Sequence, residues 1–258
     1  MDHDKVLVDI KDNIALITIN RPEVRNALDY ETWRILQKTF LELDADPDVY
    51  VIMVTGAGDK AFVAGADLNS LKVRSAVTTF NGESPRIVTS IEQVSKPTIA
   101  IINGFALGGG LELAMACDIR IAGKKAKLGQ TEINVGILPG AGGTQRLTRL
   151  VGTAKAKEMI FTGKIISAEE AEKIGLVNLV VEQEDLMQAA WSMAGEIAAK
   201  SQITLQVAKQ VINQGAETDL STGLMIEKLG QSFVFGTEDH LEGICAFLDK
   251  RKPSFKNK

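Results

Sequence analysis

Short apolar runs rich in β-branched residues alternate with helix-like segments along most of this chain. The clearest runs read VYVIMVTG, KPTIAIING, IRIAG and GLVNLVV, and segments with helical spacing of apolar residues separate them. Strands that are apolar on both faces are typical of sheets covered by helices on both sides. Their alternation with helices predicts an α/β fold built on a mostly parallel sheet.

The two ends of the chain have different patterns. Residues 6–20, VLVDIKDNIALITIN, alternate apolar and polar positions around Asp12-Asn13, which predicts a β-hairpin. The segment DYETWRILQKTFLELDAD then predicts a helix with Asp29 as its N-cap. Beyond about residue 185 the spacing is helical throughout. We therefore expect an α/β core over residues 1–190 and an all-helical region over residues 191–258.

Composition excludes several classes of protein. The net charge of −4 argues against a general nucleic-acid surface. No apolar run approaches the roughly 20 residues of a membrane span, and the N-terminus does not resemble a secretory signal, so we expect a soluble, cytoplasmic protein. Cys117 and Cys245 both lie in apolar helical patterns, which predicts two buried thiols in a reducing compartment rather than a disulfide.

Few catalytic chemistries fit the remaining residues. The only histidines are His3 and His240, so spacing provides no metal cluster, and a Ser-His-Asp triad would depend on His240. The segment FTGKII lacks the residues of a phosphate-binding P-loop. The segment VIMVTGAGDKA has the glycine spacing of a dinucleotide-binding turn, which is a weak signal, and Gly65 interrupts the helix that should follow. Carboxylate and backbone chemistry remain.

Three glycine-centred segments attract attention: AFVAGADLN, NGFALGGGLELAMACDIR and GQTEINVGILPGAGGTQRL. The first two share one form, in which a strand ends at glycine and a helix begins. Such turns leave main-chain N–H groups unpaired at a helix start, where negative charge is favoured. Two of these groups aimed at one point would form an oxyanion hole. Glycines that merely allow tight turns are the structural alternative.

Two glutamates accompany these glycines. Glu112 stands inside an apolar run three residues after Gly109, and a buried carboxylate is costly unless it is paired or used. Its structural reading is an ion pair with Arg146 or Arg149. Glu132 follows the next glycine turn and could equally cap a helix or turn. Together the two glutamates suggest a general acid/base pair.

These segments, with TINRPEVRNAL near the N-terminus and CAFLDKRKPSF near the C-terminus, resemble the enoyl-CoA hydratase (crotonase) family over essentially the whole chain. The resemblance implies an α/β, crotonase-like spiral of repeated ββα units with a helical C-terminal region that packs trimers. It implies a homo-oligomer, either a trimer or a dimer of trimers. It also implies an acyl-CoA thioester as substrate, with no cofactor beyond the coenzyme A carried by that substrate, and no metal.

The family pattern also assigns catalytic roles. Its oxyanion-hole N–H groups correspond to Ala66 and Gly109. Family hydratases carry glutamates at both Glu112 and Glu132, which hold one water against Cβ of a 2-enoyl thioester. Glu132 would relay the proton to Cα, while Glu112 would orient and help to deprotonate the water. Isomerases of the family can work with one acid, so a Δ3,Δ2-enoyl-CoA isomerase is the alternative.

Coenzyme A contacts follow by the same resemblance. The corresponding positions are Arg25, Ala64, Asp67, Leu68, Asn69, Phe247 and Lys250. Arg25 would meet a phosphate, and the backbone at Ala64 and Asp67 would contact the adenine and pantetheine. Asn69 replaces a lysine frequent in the family, which puts a charge contact there in doubt. Asp67 has a rival role as a helix cap, Phe247 as a core residue and Lys250 as a solvated helix end.

The sequence defines the acyl group of the substrate less well than it defines the catalytic groups. Lys72 and Arg74 lie in the stretch expected to line the acyl pocket, and charges there face solvent by default. They would instead suit the carboxylate of a branched dicarboxylic substrate. C-terminal segments are also similar to the methylglutaconyl-CoA hydratase branch, which includes an RNA-binding relative. This similarity makes methylglutaconyl-CoA an alternative substrate and RNA binding a further alternative.

Overall fold

The computed structural model describes residues 4–67, 71–72 and 75–258, which fold into two sheets surrounded by helices. The strands are β1 (Val6–Lys11), β2 (Ile14–Ile19), β3 (Val51–Gly56), β4 (Ala61–Val63), β5 (Thr98–Ile102), β6 (Phe105–Leu107), β7 (Ile119–Gly123), β8 (Lys127–Gly129), β9 (Ile166–Ser167) and β10 (Leu179–Val181). The helices are α1 (Tyr30–Ala45), α2 (Ala76–Phe80), α3 (Ser84–Glu92), α4 (Gly109–Ala116), α5 (Gly143–Val151), α6 (Thr153–Thr162), α7 (Ala168–Lys173), α8 (Leu186–Ala198), α9 (Gln202–Ala216), α10 (Leu220–Val234) and α11 (Glu238–Leu248). Short 3-10 helices cover Pro22–Val24, Glu132–Val135 and Gln183–Asp185.

The strand order shows a repeated ββα unit. The larger sheet has the order β1-β2-β3-β5-β7-β10, and the smaller has β4-β6-β8-β9. In the units that begin with β3, β5 and β7, the first strand extends the larger sheet, the second extends the smaller one, and a helix follows. Pairing from β2 to β10 in the larger sheet is parallel, while β1 and β2 form an antiparallel hairpin. The predicted α/β spiral and mostly parallel sheet are confirmed.

Local chemistry explains the first elements. Asp12 and Asn13 both have positive φ, at 51° and 63°, which is the conformation that a two-residue hairpin turn requires. Asp29 caps α1 as predicted, because its Oδ1 accepts a 2.8 Å hydrogen bond from the Thr32 amide. The inward face of α1, including Leu36 and Phe40, is buried in the main core.

Both faces of the larger sheet are covered. Every residue of β3 and β5 is buried, as the continuous apolar runs predict. On one face α8 packs through Leu186, Ala190 and Ala194. In the described part of the chain, residues beyond 185 form helices and no strand, as expected. Residue 190 lies within α8, and a division of the chain there stays a prediction.

The cysteines depart from expectation in one respect. Both thiols are free, as predicted, and Cys117 is buried. Cys245 is exposed in the single chain, so the prediction of two buried thiols is wrong for this residue. The reason is that the apolar side chains around it on α11, Leu241, Ile244 and Leu248, also face outward.

The smaller sheet determines where the chemistry lies. β4, β6 and β8 are neighbouring parallel strands, so their carboxyl ends meet at one edge. Ala66 follows β4, Gly109 follows β6 and Glu132 follows β8. Corresponding positions of three successive units therefore meet at one edge of this sheet.

Candidate active site

The chain after β4 directs one amide away from its neighbours. The Leu28 amide donates to the Gly65 carbonyl at 2.9 Å, and the Asp67 amide donates to the Leu28 carbonyl at 3.3 Å. Successive peptide groups of an extended segment face opposite sides. The Ala66 N–H therefore points away from Leu28, and Ala66 itself borders a cavity.

A glycine turn brings a second amide to the same cavity. Gly108 has φ 50° and ψ −122°, a conformation suited to glycine, and Gly109 begins α4 with an N–H that has no partner within the helix. A Cβ on Gly110 would lie 2.2 Å from the Val63 carbonyl, so only glycine lets α4 start this close to β4. A Cβ on Gly109 would lie 3.9 Å from the Ala66 amide nitrogen. The two amides therefore border one small space.

Backbone amides, and not an arginine, hold Glu112. Its side chain is 3% exposed, and Oε1 accepts 2.7 Å hydrogen bonds from the amides of Ala141 and Gly143. Burial raises the pKa of Glu112, and these two N–H donors oppose the rise. Its other oxygen, Oε2, would lie 4.0 Å from a Cβ on Gly109. One oxygen is thus fixed while the second is near the paired amides.

The structural alternative for Glu112, an ion pair with Arg146 or Arg149, is wrong. Arg146 forms a bidentate pair with Glu92, with Nε–Oε1 at 2.9 Å and Nη2–Oε2 at 2.6 Å. Arg149 pairs with Glu217 on the surface. Both arginines lie on α5, whereas the N–H groups that hold Glu112 belong to Gly143, the first residue of α5, and to Ala141 just before it. Arg146 acts on Glu112 only through its charge.

Glu132 opens the 3-10 turn after β8 and reaches the other side of the glycine turn. A Cβ on Gly108 would lie 3.2 Å from Glu132 Oε1 and would crowd it, and the positive φ of Gly108 also favours glycine. Burial raises the pKa of Glu132 to about 7, and the charge of Glu112 adds to the rise. Carboxyl groups tuned to this range are suited to exchange protons at neutral pH.

One cavity of about 720 Å³ contains all four predicted groups. Its other walls are mostly apolar or glycine. Its lining residues are Leu28, Trp33, Ala64, Gly65, Ala66, Leu71, Thr79, Gly82, Ser84, Pro85, Gly108, Gly109, Glu112, Thr131, Glu132, Val135, Ile137, Leu138, Pro139, Gly140 and Ala141. The only charged side chains among these described residues are the two glutamates. The cavity can therefore hold an apolar group next to two proton-exchanging carboxyl groups and two backbone donors.

The predicted coenzyme A contacts are dispersed. Ala64 lines the main cavity, while Arg25 lines a separate cavity of about 450 Å³ with Asp59, Lys60, Gly104, Phe105 and Lys125. Asp67 lies at the end of the extended segment that carries Ala66, outside the residues that line the cavity. Leu68 and Asn69 lie outside the described residues, as do His3 and Arg74.

Two further predicted contacts and one predicted cation lie on the surface. Lys250 and Lys72 are exposed and do not line the main cavity. Phe247 is 83% exposed, so the alternative reading of this residue as part of the core is wrong. Because Phe247 is on the outer side of α11, it does not reach the cavity of its own chain.

Sequence reasoning missed several residues of the site. Trp33 lies against the glycine turn, since a Cβ on Gly109 would be 3.6 Å from its ring. Gln130 is fully buried beside Glu132. Gln130 directly follows β8, but no spacing rule connects it with Glu132, because Thr131, with φ −100° and ψ 3°, ends the extended segment between them. No sequence pattern indicated that the amides of Ala141 and Gly143 would hold Glu112.

Comparison with known proteins places this chain among acyl-CoA enzymes. Residues 9–258 match the family model described as enoyl-CoA hydratase/isomerase. The chain is 42% identical, over the full length of both proteins, to a crotonyl-CoA hydratase of Syntrophomonas wolfei and to a short-chain-enoyl-CoA hydratase of Clostridium acetobutylicum. A crystal structure of an enoyl-CoA hydratase from Bacillus anthracis is similar at 41% identity and a TM-score of 0.95, covering 98% of this chain and 100% of that one.

Two other structural features are absent from the described residues. No helix there combines the length and the apolarity that a membrane span requires. No three His, Cys, Asp or Glu side chains in that part of the chain are grouped in a way that would hold a metal ion. The cytoplasmic location expected from the sequence stays a prediction.

Proposed function

Because the chain belongs to the enoyl-CoA hydratase/isomerase family, we infer that it is an enoyl-CoA hydratase, which adds water reversibly across the 2,3 double bond of a 2-enoyl-CoA thioester. The observation that supports the reaction most directly is the presence of Glu112 and Glu132 on one apolar cavity with the amides of Ala66 and Gly109. A hydratase needs a base for water, an acid for Cα and donors for the thioester oxygen, and this cavity offers all three.

The Ala66 and Gly109 amides bind the thioester oxygen in this proposal. Negative charge develops on that oxygen when water adds to Cβ, and donors already in place stabilise it without reorganising. By analogy with other oxyanion holes, each is worth about 3–4 kcal/mol in the transition state. Gly108 and Gly110 support the arrangement because their lack of side chains lets α4 and Glu132 approach so closely.

The glutamates divide the proton transfers. The water oxygen bonds to Cβ while its proton moves to Glu112, and the electron pair of the double bond shifts toward the thioester oxygen as an enolate. Protonated Glu132 then gives its proton to Cα, and the enolate returns to a thioester. Burial raises the pKa of both glutamates; the N–H donors of Ala141 and Gly143 oppose the rise at Glu112, whereas the charge of Glu112 adds to the rise at Glu132. Transfer of the proton from Glu112 back to Glu132 through solvent resets the pair.

The separate cavity beside Arg25 suits the phosphate groups of coenzyme A. Three basic residues, Arg25, Lys60 and Lys125, line it with a single acid, Asp59. The Ala64 amide donates to the Arg25 carbonyl at 3.1 Å, which joins this basic surface to the strand end that borders the main cavity. We propose that the pantetheine arm passes Ala64 and that Arg25 meets a phosphate.

The described lining favours an uncharged, short acyl group. A substrate with a second carboxylate would place that charge beside Glu112 and Glu132, without a cation among the described lining residues to offset it. Lys72, which the sequence offered for this role, is exposed to solvent. The two relatives named for crotonyl-CoA and short-chain substrates agree with a small neutral acyl group. A dicarboxylic substrate such as methylglutaconyl-CoA is therefore disfavoured.

A substrate panel tests the proposal. We expect crotonyl-CoA to lose the absorbance of its conjugated thioester on addition of the protein, faster than long-chain 2-enoyl-CoA or 3-methylglutaconyl-CoA. Absence of hydration across the whole panel would contradict the function. Faster conversion of a 3-enoyl-CoA to its 2-enoyl isomer than hydration of crotonyl-CoA would instead identify an isomerase.

We further propose that the C-terminal helices bind other copies of this chain. Met225, Leu229 and Phe233 are 56%, 64% and 62% exposed and recur every four residues, which places them on one face of α10. Leu241, Leu248 and Phe247 are exposed on α11 as well. Apolar faces of this extent are unusual on a soluble monomer and mark interaction surfaces. Another copy of this chain carries the same apolar residues and can therefore cover this surface.

Sedimentation velocity tests this assembly. We expect the native chain to sediment as a trimer or a dimer of trimers, and Leu229→Glu with Phe233→Glu to shift it to smaller species, since two charges would be buried in the interface. Ile10→Glu, at an exposed apolar residue of β1, is the matched control and should leave the assembly intact. A monomeric native protein would refute the proposal.

A further inference from the structure

One side of the cavity is formed by residues 75–86, which we call the acyl wall. Its cavity-lining members are Thr79, Gly82, Ser84 and Pro85. None of residues 75–86 is buried, and Val77 and Phe80 are 69% and 92% exposed. The main core begins at the next residue, Ile87. Apolar burial, which fixes most segments of a fold, therefore does not hold the acyl wall in place.

An ion pair joins the acyl wall to α1. Arg34 Nε lies 2.9 Å from Glu83 Oε2, and Arg34 Nη2 lies 2.9 Å from Glu83 Oε1, which is a bidentate arrangement. One turn earlier on α1, the Tyr30 ring lies 4.5 Å from the guanidinium carbon, and its hydroxyl accepts a 3.2 Å hydrogen bond from Arg34. Among the described residues, Arg34 and Tyr30 are the only side chains outside the acyl wall that form hydrogen bonds with it.

This pair connects two sides of the cavity. Glu83 stands directly before α3, and the next two residues, Ser84 and Pro85, line the cavity. A displacement of Glu83 therefore displaces the cavity lining as well. On the other side, α1 borders the cavity at Trp33, the neighbour of Arg34. The separation of these two sides thus depends on the contact between Arg34 and Glu83.

We propose that Arg34 and Glu83 limit the length of the acyl group by holding the acyl wall against α1. This inference rests on the proposed hydratase function, in which the thioester oxygen lies at the Ala66 and Gly109 amides and the acyl group extends toward the acyl wall. Neither Arg34 nor Glu83 lines the cavity, so both act through the acyl wall as positioning residues. When the pair opens, the exposed wall can move outward and leave room for a longer chain.

The exposure of the pair determines how large its effect can be. The side chains of Arg34 and Glu83 are 57% and 37% exposed, and salt screens charges in contact with solvent. Exposed ion pairs shift an equilibrium by at most about fivefold, and bidentate geometry favours the upper end of that range. Hydrogen bonds from Arg34 lower the pKa of Glu83 to about 2, so the pair stays ionised around neutral pH. Salt, and not pH, should therefore weaken it.

The ratio of kcat/KM for 2-octenoyl-CoA to kcat/KM for crotonyl-CoA tests this role. Glu83→Gln keeps the size of the side chain and removes its charge, so we expect the ratio to rise about fivefold. In the native protein the ratio should also rise with salt concentration, whereas in Glu83→Gln it should not depend on salt. Both substrates carry the same coenzyme A, so the effect of salt on its phosphates cancels in the ratio. The salt titration of the native protein requires no variant.

Two further variants separate the role from a general loss of structure. Arg34→Glu combined with Glu83→Arg re-forms the pair with opposite polarity and should restore the native ratio. Glu217→Gln is the matched control, because it removes another exposed bidentate pair, with Arg149 at 3.0 and 3.3 Å, and should leave the ratio unchanged. If the native protein hydrates crotonyl-CoA but its ratio responds neither to salt nor to Glu83→Gln, the role of the pair is overturned and the function stands. Absence of hydration of every thioester by the native protein would refute both.

Discussion

Replacing Glu132 by glutamine is expected to lower kcat for crotonyl-CoA hydration by roughly 10²–10⁴-fold, the range that a positioned general acid supplies. The glutamine side chain keeps the size of Glu132 but has no proton to give to Cα. Binding should change little, because the amides of Ala66 and Gly109 and the apolar walls remain, so KM should stay within a few-fold of the native value. Initial rates from the loss of enoyl-thioester absorbance measure both constants.

The pH profile makes the same prediction sharper. Burial raises the pKa of Glu132 to about 7, so in the native enzyme this group loses its proton as pH rises through neutrality. Above that range no proton is held for Cα, and kcat/KM falls. Glu132→Gln removes the titrating group, so the residual activity should lose this alkaline limb. Near-native rates, or an unchanged limb, would show that Glu132 is not the acid.

A loss of comparable size, roughly 10²–10⁴-fold in kcat, is expected for Glu112→Gln because the base that takes a proton from water is removed. The fold should tolerate this change. The amide oxygen of glutamine can still accept the hydrogen bonds that Ala141 and Gly143 donate to Oε1. Burying a neutral amide also costs less than burying a carboxylate. The melting temperature should therefore stay near the native value while activity falls.

Thermal unfolding measured with kinetics separates these effects. Glu92→Gln is a useful control, because it removes a carboxylate that pairs with Arg146 outside the cavity and should affect stability more than chemistry. The double variant of Glu112 and Glu132 should be about as slow as the slower single variant, since both groups act on one water. A Glu112→Gln variant that is fully active and folded would contradict the assigned role.

Much of the site was accessible from the sequence because its groups sit where strands end. The strand runs predicted the larger sheet, and the turns around Gly65 and Gly108 marked two helix or loop starts with unpaired amides. Once β4, β6 and β8 pair in parallel, these strand ends meet. Ala66, Gly109, Glu112 and Glu132 accordingly all border one cavity, as the resemblance implied.

Contacts between distant segments could not be predicted in the same way. The amides that hold Glu112 come from a turn some thirty residues further along the chain, and any backbone N–H can make such a contact. An arginine was the more obvious partner for a buried acid, but Arg146 is engaged by Glu92 instead. Exposure on α11 was also hidden, since an apolar helical pattern is the same whether its face meets the core or another chain.

The smaller sheet separates chemistry from substrate choice. Neighbouring strands lie about 4.8 Å apart, so the hydrogen-bonded ladder of β4, β6 and β8 fixes the spacing of the reacting groups that follow each strand. The walls at Thr79, Gly82, Ser84 and Pro85 come from the chain between β4 and β5, outside that ladder. Variation in this wall can change the accepted acyl group while the spacing of donors and acids is preserved. Libraries for new substrates therefore belong in this segment, and not at the strand ends.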